Sequence, residues 1–500
     1  MATKIILGPP GTGKTTALLD LVDECLADNI APGKIGFISF TRKSVNEARD
    51  RAAKRFSMDP KFFDYFSTIH SLSFRQLGMS SSDVVQRKDF VEVGDLIGIP
   101  IKGYQQMDKE IYEMQRGDQL VFLESLSRLL CEDYETTYHD INPDFTMHEF
   151  NYYIETYANY KRSNLLYDFT DMLVKFYNEG IAPNLKTLFI DEAQDLCPLQ
   201  WRIVEILIKH TDNTYIAGDD DQAIFRWSGA DVDYFINLAK INENRILGHS
   251  FRLPIKIHNE AERLADRIQN RTKKEFTPTK KEGSVNYTAS IENIDMDNGE
   301  WLILIRNGYL EKTVVEYLRS CGYAFEGRYD KPAESEVLKA ALIWERLRKE
   351  NKINVTEAKL MLSFISKKNM SGNVKRALSG RRGNEIITLE NIRTWCGLHA
   401  EGIWHEVLDK ISIEDREYYI AARKRGESFI GQPRIRVSTI HGAKGGESEN
   451  VVLFTDISAR TYRSMINNFD DELRVFYVGV TRAKENLWVV SPSSNYYFDL

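Results

Sequence analysis

Short apolar runs ending in glycine or acidic residues recur along the chain, separated by stretches with apolar residues at every third or fourth position. Lys4-Ile5-Ile6-Leu7 predicts a buried strand, and Thr15 to Leu26 predicts a helix whose inner face carries Ala17, Leu18, Leu21, Val22 and Cys25. Further buried strands are predicted at Lys186 to Ile190, Thr214 to Ala217 and Trp301 to Ile305. Strands with no polar alternation are buried on both faces, as in parallel sheets covered by helices. Such units recur on both sides of residue 250, so the expected class is α/β with two parallel-sheet domains whose ligands lie at the carboxyl ends of the strands. Helical patterning near 78–161, including Leu120 to Leu130, and a second spacer near 341–431 interrupt these units. The spacing of Tyr152, Tyr153, Tyr157 and Tyr160 favours core packing on one helix over a stacking ladder.

A chain of 500 residues is long enough for about three or four domains. With 42% hydrophobic and 28% charged residues it falls near the globular average, which excludes disordered, collagen-like and disulfide-knot classes. No apolar run approaches the ~20 residues of a membrane span, and MATKIILGPP lacks the order of a signal peptide. A cytoplasmic location, or host cytoplasm if virus-encoded, and no membrane partner are the expectations. Cys25, Cys131, Cys197, Cys321 and Cys396 are scattered and never form CxxC, against disulfides or a zinc ribbon. The net charge of -7 gives no global positive field, so any nucleic-acid track would have to be a confined groove.

Between the first strand and helix lies Gly8-Pro9-Pro10-Gly11-Thr12-Gly13-Lys14-Thr15, a GxxxxGKT phosphate loop in its strand–loop–helix setting. Its glycines let successive N–H groups converge on an anion at a helix N-terminus. Lys14 is expected at the β- and γ-phosphates and the Thr15 hydroxyl on Mg2+. An incidental glycine turn does not account for a strand before and a helix after. The apolar run into Asp191-Glu192-Ala193-Gln194-Asp195 supplies paired carboxylates. Asp191 can hold magnesium through its water shell while Glu192 orients and deprotonates the attacking water. A kinase would satisfy both motifs; a motor also needs groups that sense the γ-phosphate.

Gly218-Asp219-Asp220-Asp221-Gln222 and the following Ala223 to Ala230 then resemble the superfamily 1 helicases of the UvrD/Rep type. The resemblance extends through Ile35 to Lys43 (motif Ia), Ser67-Thr68-Ile69-His70-Ser71 (motif Ib) and Asp168-Phe169-Thr170-Asp171-Met172-Leu173. It continues through His249-Ser250-Phe251-Arg252 (motif IV), Val437 to Glu447 (motif V) and Phe476 to Lys484 (motif VI), in family order. It implies two RecA-like P-loop domains, each interrupted by a mostly helical accessory subdomain. The expected divisions are 1–77 and 162–248 for the first RecA-like ATP-binding domain and 78–161 for its helical insertion. Residues 249–340 and 432–500 would form the second RecA-like domain and 341–431 a reduced second insertion, short for a UvrD-like enzyme. The chain runs little beyond Val489-Val490, and no appended nuclease domain is expected.

Position by position, the resemblance implies Lys14, Glu192, Gln222, Arg252 and Arg482 as the catalytic set, with Gln222 at the γ-phosphate or attacking water and the two arginines supplied across a cleft. ATP would lie on Gly8, Pro9, Pro10, Gly11, Thr12, Gly13, Lys14, Thr15 and Thr16, with Phe251 stacked on adenine and Glu447 on the ribose; Thr15 and Asp191 would hold Mg2+. Phe251 stands where the family has tyrosine, and Thr16 where it often has arginine. Only Met1, Ala2 and Thr3 precede the first strand, so the family's glutamine-bearing base reader is expected to be absent and ATP to be weakly favoured over other nucleotides. Phe40, Arg42, Thr68, His70, Phe225, Trp227 and His441 are the implied nucleic-acid contacts. Phe225 and Trp227, two apart, would share one side of an extended stretch and stack on bases. Lys375-Arg376 with Arg381-Arg382, and Arg423-Lys424-Arg425, fit either duplex-backbone contacts or solvated helix ends.

The activity implied is an ATP- and magnesium-dependent DNA helicase moving 3′ to 5′ along single strands, with DNA repair and DNA replication as family settings. Its partners would be single-stranded DNA and single/double-strand junctions, with single-strand-binding or replication proteins as candidate protein partners. The alternatives are a translocase that displaces bound proteins with weak unwinding, and a non-hydrolysing nucleotide-gated DNA-binding scaffold.

Overall fold

The computed structural model describes residues 2–40, 42–103, 111–179 and 181–500; Met1 and Thr41 lie outside them, as does the side chain of Lys43. The chain forms two compact units, one of Met1–Tyr287, Thr439–Glu447 and Thr455–Leu500, the other of Thr288–Ser438 and Ser448–Phe454.

The first unit is built on six strands, β1 (Ala2–Leu7), β2 (Ile35–Ser39), β3 (Phe66–Ser67), β4 (Thr187–Asp191), β5 (Asn213–Gly218) and β6 (Glu243–Ile246), in the order β3-β2-β4-β5-β1-β6. Every pairing is parallel, in registers such as Ile5 opposite Ile216 and Ile38 opposite Ile190. Side chains alternate between two cores, because successive strand residues point to opposite faces. Ile5, Leu7, Ile38, Leu188, Ile190 and Ile216 face one core with Phe176, Trp201 and Phe235, while Ile6, Phe37, Phe189 and Ala217 face the other with Leu18, Val22 and Ala48. Each such buried Leu, Ile, Val or Phe side chain contributes about 1.5–3 kcal/mol, so both faces hold the sheet and its register.

Helices α1 (Lys14–Ala27), α2 (Arg42–Phe56) and α3 (Ile69–Gln76) follow β1, β2 and β3. The insertion after α3 is helical as predicted: α4 (Arg87–Ile97), α5 (Arg116–Leu130), α6 (Tyr134–Ile141) and α7 (Met147–Asn164). Tyr153 and Tyr157 of α7 lie in its core and Tyr160 packs against it, its hydroxyl donating to Asp89 and Glu92, so core packing holds for these three; Tyr152 is exposed and departs from the expectation. An ion cluster ties α5 and α7 to the start of α8 (Phe169–Glu179): Arg128 and Lys161 both bind Asp168 and Asp171 at 2.6–2.8 Å. The unit continues through α9 (Pro198–Ile208), α10 (Val232–Ile241), α11 (Ile255–Ala265), β7 (Ser284–Thr288) and, near the C-terminus, a helix at Phe469–Val480.

The second unit contains β8 (Trp301–Ile305), β9 (Phe325–Glu326), the antiparallel pair β10 (Ile353–Asn354) and β11 (Ile386–Ile387), β12 (Ile435–Thr439) and β13 (Ser448–Phe454). Its sheet order is β13-β8-β12-β9, with β13 parallel to β8 and β12 parallel to β9. The remaining strand, β14 (Ala483–Val490), belongs to the first unit and neighbours β7. The stretch 341–431 is largely helical, including Glu336–Arg348, Val355–Ser363 and Ile413–Arg425. Arg423, Lys424 and Arg425 form the last turn of that third helix, where cations favour the helix dipole, and Arg425 pairs with Asp297. Arg381 covers the Trp395 ring at 3.5 Å. Among the described residues no helix is long and apolar enough to cross a membrane.

Candidate nucleotide and nucleic-acid site

All six parallel strands of the first unit point the same way, so their carboxyl ends gather the predicted motifs on one edge. β1 delivers the phosphate loop, β4 the paired carboxylates and β5 the Gly218-to-Gln222 segment. β5 lies between β1 and β4, and at a strand spacing of about 4.8 Å this leaves roughly 10 Å between loop strand and carboxylate strand, room for a terminal phosphate and a water.

The loop is held open by its own backbone. Gly8 N–H donates to Gly218 O at 3.0 Å, Thr12 N–H and Oγ1 both donate to Pro9 O, and Gly13 caps α1 at φ 79, a left-handed conformation that glycine adopts without steric cost. Lys14 Nζ donates to Gly8 O at 3.0 Å and lies 3.7 Å from Glu192 Oε1. The Thr15 hydroxyl donates to Asp191 Oδ2 at 2.7 Å, and Thr16 is exposed. Pro9 and Pro10 are buried.

Glu192 is a non-glycine residue at φ 54, ψ 41. Such a conformation costs on the order of 1–3 kcal/mol and persists only where its surroundings hold it. Gln194 supplies two of those holds, donating to Glu192 Oε2 at 2.6 Å and accepting from Asp219 N–H at 2.9 Å. Burial acts to raise the Glu192 carboxyl, but Lys14, Lys444, Gln194 and Arg482 outweigh it and hold the group down at about 2. Burial, with Glu192 next to it, pushes Asp191 the other way, to about 6.

Gln222 and Arg482 meet in this site. Gln222 Nε2 donates to Asp219 Oδ2 at 2.6 Å, and its Oε1 accepts from Arg482 Nη2 at 3.0 Å. Arg482 is 1% exposed and also donates to Val478 O and Gly446 O. Burial and the nearby Arg252 pull its guanidinium down to about 9. Arg252 Nε donates to Glu447 Oε2 at 2.6 Å, and the Glu447 Oε1 lies 3.5 Å from Lys484 Nζ. The segment carrying Arg252 rests directly on the phosphate loop: Phe251 N–H donates to Gly11 O at 2.8 Å and Ser250 Oγ to Pro10 O at 2.7 Å. A Cβ on Gly11 would collide with the Arg252 Cβ. Both arginines therefore belong to the compact unit that carries the loop. Phe251 is 74% exposed, with the His249 ring edge-on to it at 5.0 Å.

The expected nucleic-acid residues divide into two groups. Phe40, Phe225, His441 and Trp227 make one aromatic cluster: Phe225 stacks on Phe40 at 5.5 Å, and both Phe225 and Trp227 lie 6.1 Å from the His441 ring. The extended geometry expected for Phe225 and Trp227 is corrected by the structure. Arg226–Ser228 is a 3-10 turn closed by Gly229 at φ 99, so Phe225 turns inward to 8% exposure while Trp227 stacks on Phe122 of the helical insertion at 6.0 Å. Arg42 is exposed. Thr68 caps α3, its Oγ1 accepting from Ser71 N–H at 3.2 Å. His70 sits edge-on to Phe169, and burial, with Arg42 adding repulsion, lowers its imidazole to about 4.

Several cations of the site escaped sequence reasoning. Lys444 Nζ binds both oxygens of Asp195 at 2.6 Å and Gln222 O at 2.7 Å, and lies 5.0 Å from the Phe225 ring centroid. Its place in the Thr439-to-Glu447 segment was the available signal. Lys274, 1% exposed on its side chain, binds Asp219, Asp220 and Asp221 at 2.5–3.1 Å, and Arg271 grips Asp221 with two nitrogens. Burial opposes the charge on Lys274, but the three aspartates outweigh it and raise its pKa. Arg474, also 1% exposed, donates to Asp220 O and Asn270 O. No local pattern in the sequence marks Lys274, Arg271 or Arg474.

Thr15 Oγ1 and Asp191 Oδ2 are hard oxygen donors already side by side, the sparse protein set that suits magnesium, which keeps waters and substrate phosphates as its other ligands. A parallel sheet with a phosphate loop at one strand end and acidic residues two strands away defines the class of P-loop α/β proteins. The UvrD/REP helicase N-terminal domain model matches residues 2–242 and the UvrD-like helicase C-terminal domain model residues 434–490, together more than half of the chain. The chain belongs to the UvrD/Rep helicase family. It is 25% identical to the ATP-dependent DNA helicase Rep of Buchnera aphidicola over 59% of this chain and 45% of that protein. It is 24% identical to the ATP-dependent DNA helicase PcrA of Bacillus subtilis over 56% of this chain and 39% of that protein. A probable DNA helicase II homolog of Mycoplasma capricolum is 21% identical over 98% of this chain and 82% of its own length. Against Rep and PcrA, the matched region thus spans less than half of the relative.

Proposed function

We propose that this chain is an ATP- and magnesium-dependent DNA helicase that translocates 3′ to 5′ along single strands. The observation that carries the reading is the convergence of Lys14, Glu192, Gln222, Arg252 and Arg482 on one sheet edge, with Gln222 held between Asp219 and Arg482. A non-hydrolysing scaffold has no need of a carboxylate, an amide and two guanidinium groups around a phosphate loop.

In this reading Lys14 leaves Gly8 O for the β- and γ-phosphates, and the loop's N–H groups bind their oxygens. Magnesium, held by Thr15 and Asp191, would neutralise charge between the phosphates. Glu192 accepts a proton from the attacking water, and Gln222 orients that water. Arg482, whose charge is disfavoured by burial beside Arg252, gains from a triphosphate the anion it lacks, so its position reports whether the γ-phosphate is intact. Phe251 stacks on the base and Glu447 holds the ribose. Stacking on Phe251 reads no base edge, so this contact alone leaves ATP and GTP within about 100-fold in kcat/KM.

The single strand would pass along the motif Ia and Ib edge, where Arg42, Thr68 and His70 lie, with the cluster of Phe40, Phe225, Trp227 and His441 beside it. Phe225 and Trp227 would reach bases only after leaving their present partners, Phe40 and Phe122. The deciding experiment is unwinding of duplexes bearing either a 3′ or a 5′ single-stranded tail, with single-strand-stimulated ATPase measured alongside. Strand separation from the 3′ tail alone is expected. Protein displacement without strand separation would make the chain a translocase, and no stimulated ATPase would make it a scaffold.

A further inference from the structure

Asp219, Asp220 and Asp221 follow β5 directly, and all three are fully buried. Asp220 and Asp221 are engaged by the segment 271–274: the Thr272 N–H and Lys274 Nζ hold the first at 2.6 and 2.5 Å, and two Arg271 nitrogens hold the second at 2.8 and 2.6 Å. Asp219 is bonded differently. Its Oδ1 lies 3.1 Å from Lys274 Nζ and accepts from the Asp221 N–H at 3.3 Å, while its Oδ2 accepts from Gln222 Nε2 at 2.6 Å.

A side-chain amide can be seated two ways, exchanging its oxygen and its nitrogen in space. The two neighbours of the Gln222 amide differ in polarity: a carboxylate accepts and never donates, and a guanidinium donates and never accepts. With Asp219 at one edge and Arg482 Nη2 3.0 Å from Oε1 at the other, a single seating satisfies both. Lys274 makes the selection strict, because its ammonium group demands an oxygen at the Asp219 Oδ1 position.

We infer that Asp219, anchored from behind by Lys274, is a positioning residue for hydrolysis and fixes which end of the Gln222 amide meets the attacking water. The inference rests on the proposed helicase reading, in which Gln222 orients that water. Once Arg482 turns to the γ-phosphate, Oε1 is released and accepts a hydrogen bond from the water's O–H, while Nε2 stays on Asp219. A reversed amide would aim an N–H at the water and tie up the lone pair that must attack phosphorus.

The test compares Asp219→Asn, Gln222→Met and the double variant in single-strand-stimulated ATPase of the full chain, with ATPγS affinity measured separately. In Asp219→Asn, Lys274 and the Asp221 N–H claim the one remaining oxygen, which turns the new NH2 group toward Gln222 and reverses its amide. Turnover should fall by about 10²-fold, as for a misplaced reactant, with ATPγS affinity kept. The double variant should be no slower than Gln222→Met, because both changes act through one amide.

Gln222→Glu probes the same contact with Asp219 and Lys274 left in place. Its carboxyl would face Asp219, with Arg482 and Lys444 beside it, Lys274 behind Asp219, Asp195 behind Lys444, and Glu192 sharing Arg482 and Lys444. Two carboxylates at hydrogen-bond distance share a proton, and only the protonated glutamate both donates to Asp219 and accepts from water. Turnover of Gln222→Glu relative to the parent should therefore rise as the pH is lowered from about 8.5 to about 5.5. Loss of stability alone predicts neither the split between turnover and affinity nor this ratio. Melting curves identify any variant that does not fold, and the pH ratio carries the test if Asp219→Asn fails. If Gln222→Met lowers turnover but folded Asp219→Asn keeps the parent's, or the Gln222→Glu ratio is flat with pH, Asp219 does not position the amide. If Gln222→Met itself keeps the parent's turnover, or the parent shows no stimulated ATPase, the reading of the site falls, and this inference with it.

Discussion

The two ends of the site in the first unit are built on opposite principles. At the nucleotide end nearly every charged group is already engaged: Lys444 with Asp195, Lys274 with three aspartates, Arg252 with Glu447 and Arg482 with Gln222. At the proposed nucleic-acid end Arg42 and Lys61 are exposed, and Ser67 Oγ and Arg49 Nε have no hydrogen-bond partner among the described residues. Phosphoryl transfer gains from charges fixed before the reaction begins, whereas a track that must be released at each step calls for contacts that are cheap to make and to break.

The contrast can be broken at several points. Arg482→Ala removes the guanidinium proposed to meet the terminal phosphate and should lower single-strand-stimulated ATPase turnover by about 10³-fold or more, measured at saturating ATP. Glu192→Gln keeps the shape and removes the proposed base, and a loss of about 10²–10⁴-fold in turnover with ATP binding retained is expected. Normal turnover would remove Glu192 from the catalytic set. Lys444→Met strands the buried Asp195 carboxylate, which burial already pushes up to about 6, and should cost about 3–5 kcal/mol in denaturant unfolding of the first unit. Thr68→Ala deletes an N-cap and should cost only about 1 kcal/mol by the same measurement.

The smallest effect is a pH signature. His70 is held at about 4, below its ordinary 6.5, so the folded state resists its protonation. Its contribution to stability is complete above about 6.5 and is lost as the pH falls toward 4, below which both states are protonated. Unfolding titrations of His70→Phe should show a flatter decline across that window than the parent chain. An identical decline would detach the acid response from this residue.

What was legible in the sequence was what is local. The phosphate loop, the carboxylates after β4 and the segment after β5 each follow an apolar run directly, so strand prediction and site prediction were one act. The alternation of Phe37 with Ile38, or Phe189 with Ile190, between two cores follows from the same runs. The partners of those motifs were not legible. Lys274 and Arg271 meet Asp220 and Asp221 across about fifty residues of chain, and nothing in Arg271-Thr272-Lys273-Lys274 distinguishes one buried lysine from its solvated neighbour. Phe225 and Trp227 were misread because period-two spacing was applied to a stretch that Ser228-Gly229 turns back on itself, where the Ser228 hydroxyl donates to Phe225 O at 2.8 Å. Turn chemistry competes with strand periodicity in such short segments.

Gly11 and Arg252 have a mechanical consequence. With no side chain on Gly11 there is no cushion between the loop and the residue that carries this arginine, and the Phe251 N–H to Gly11 O and Ser250 Oγ to Pro10 O bonds lock the two strips edge to edge. A shift of the loop as it fills cannot be absorbed as slack; it must push the arginine bodily, like meshed teeth. A Gly11→Ala substitution would jam that gear even though it adds no charge.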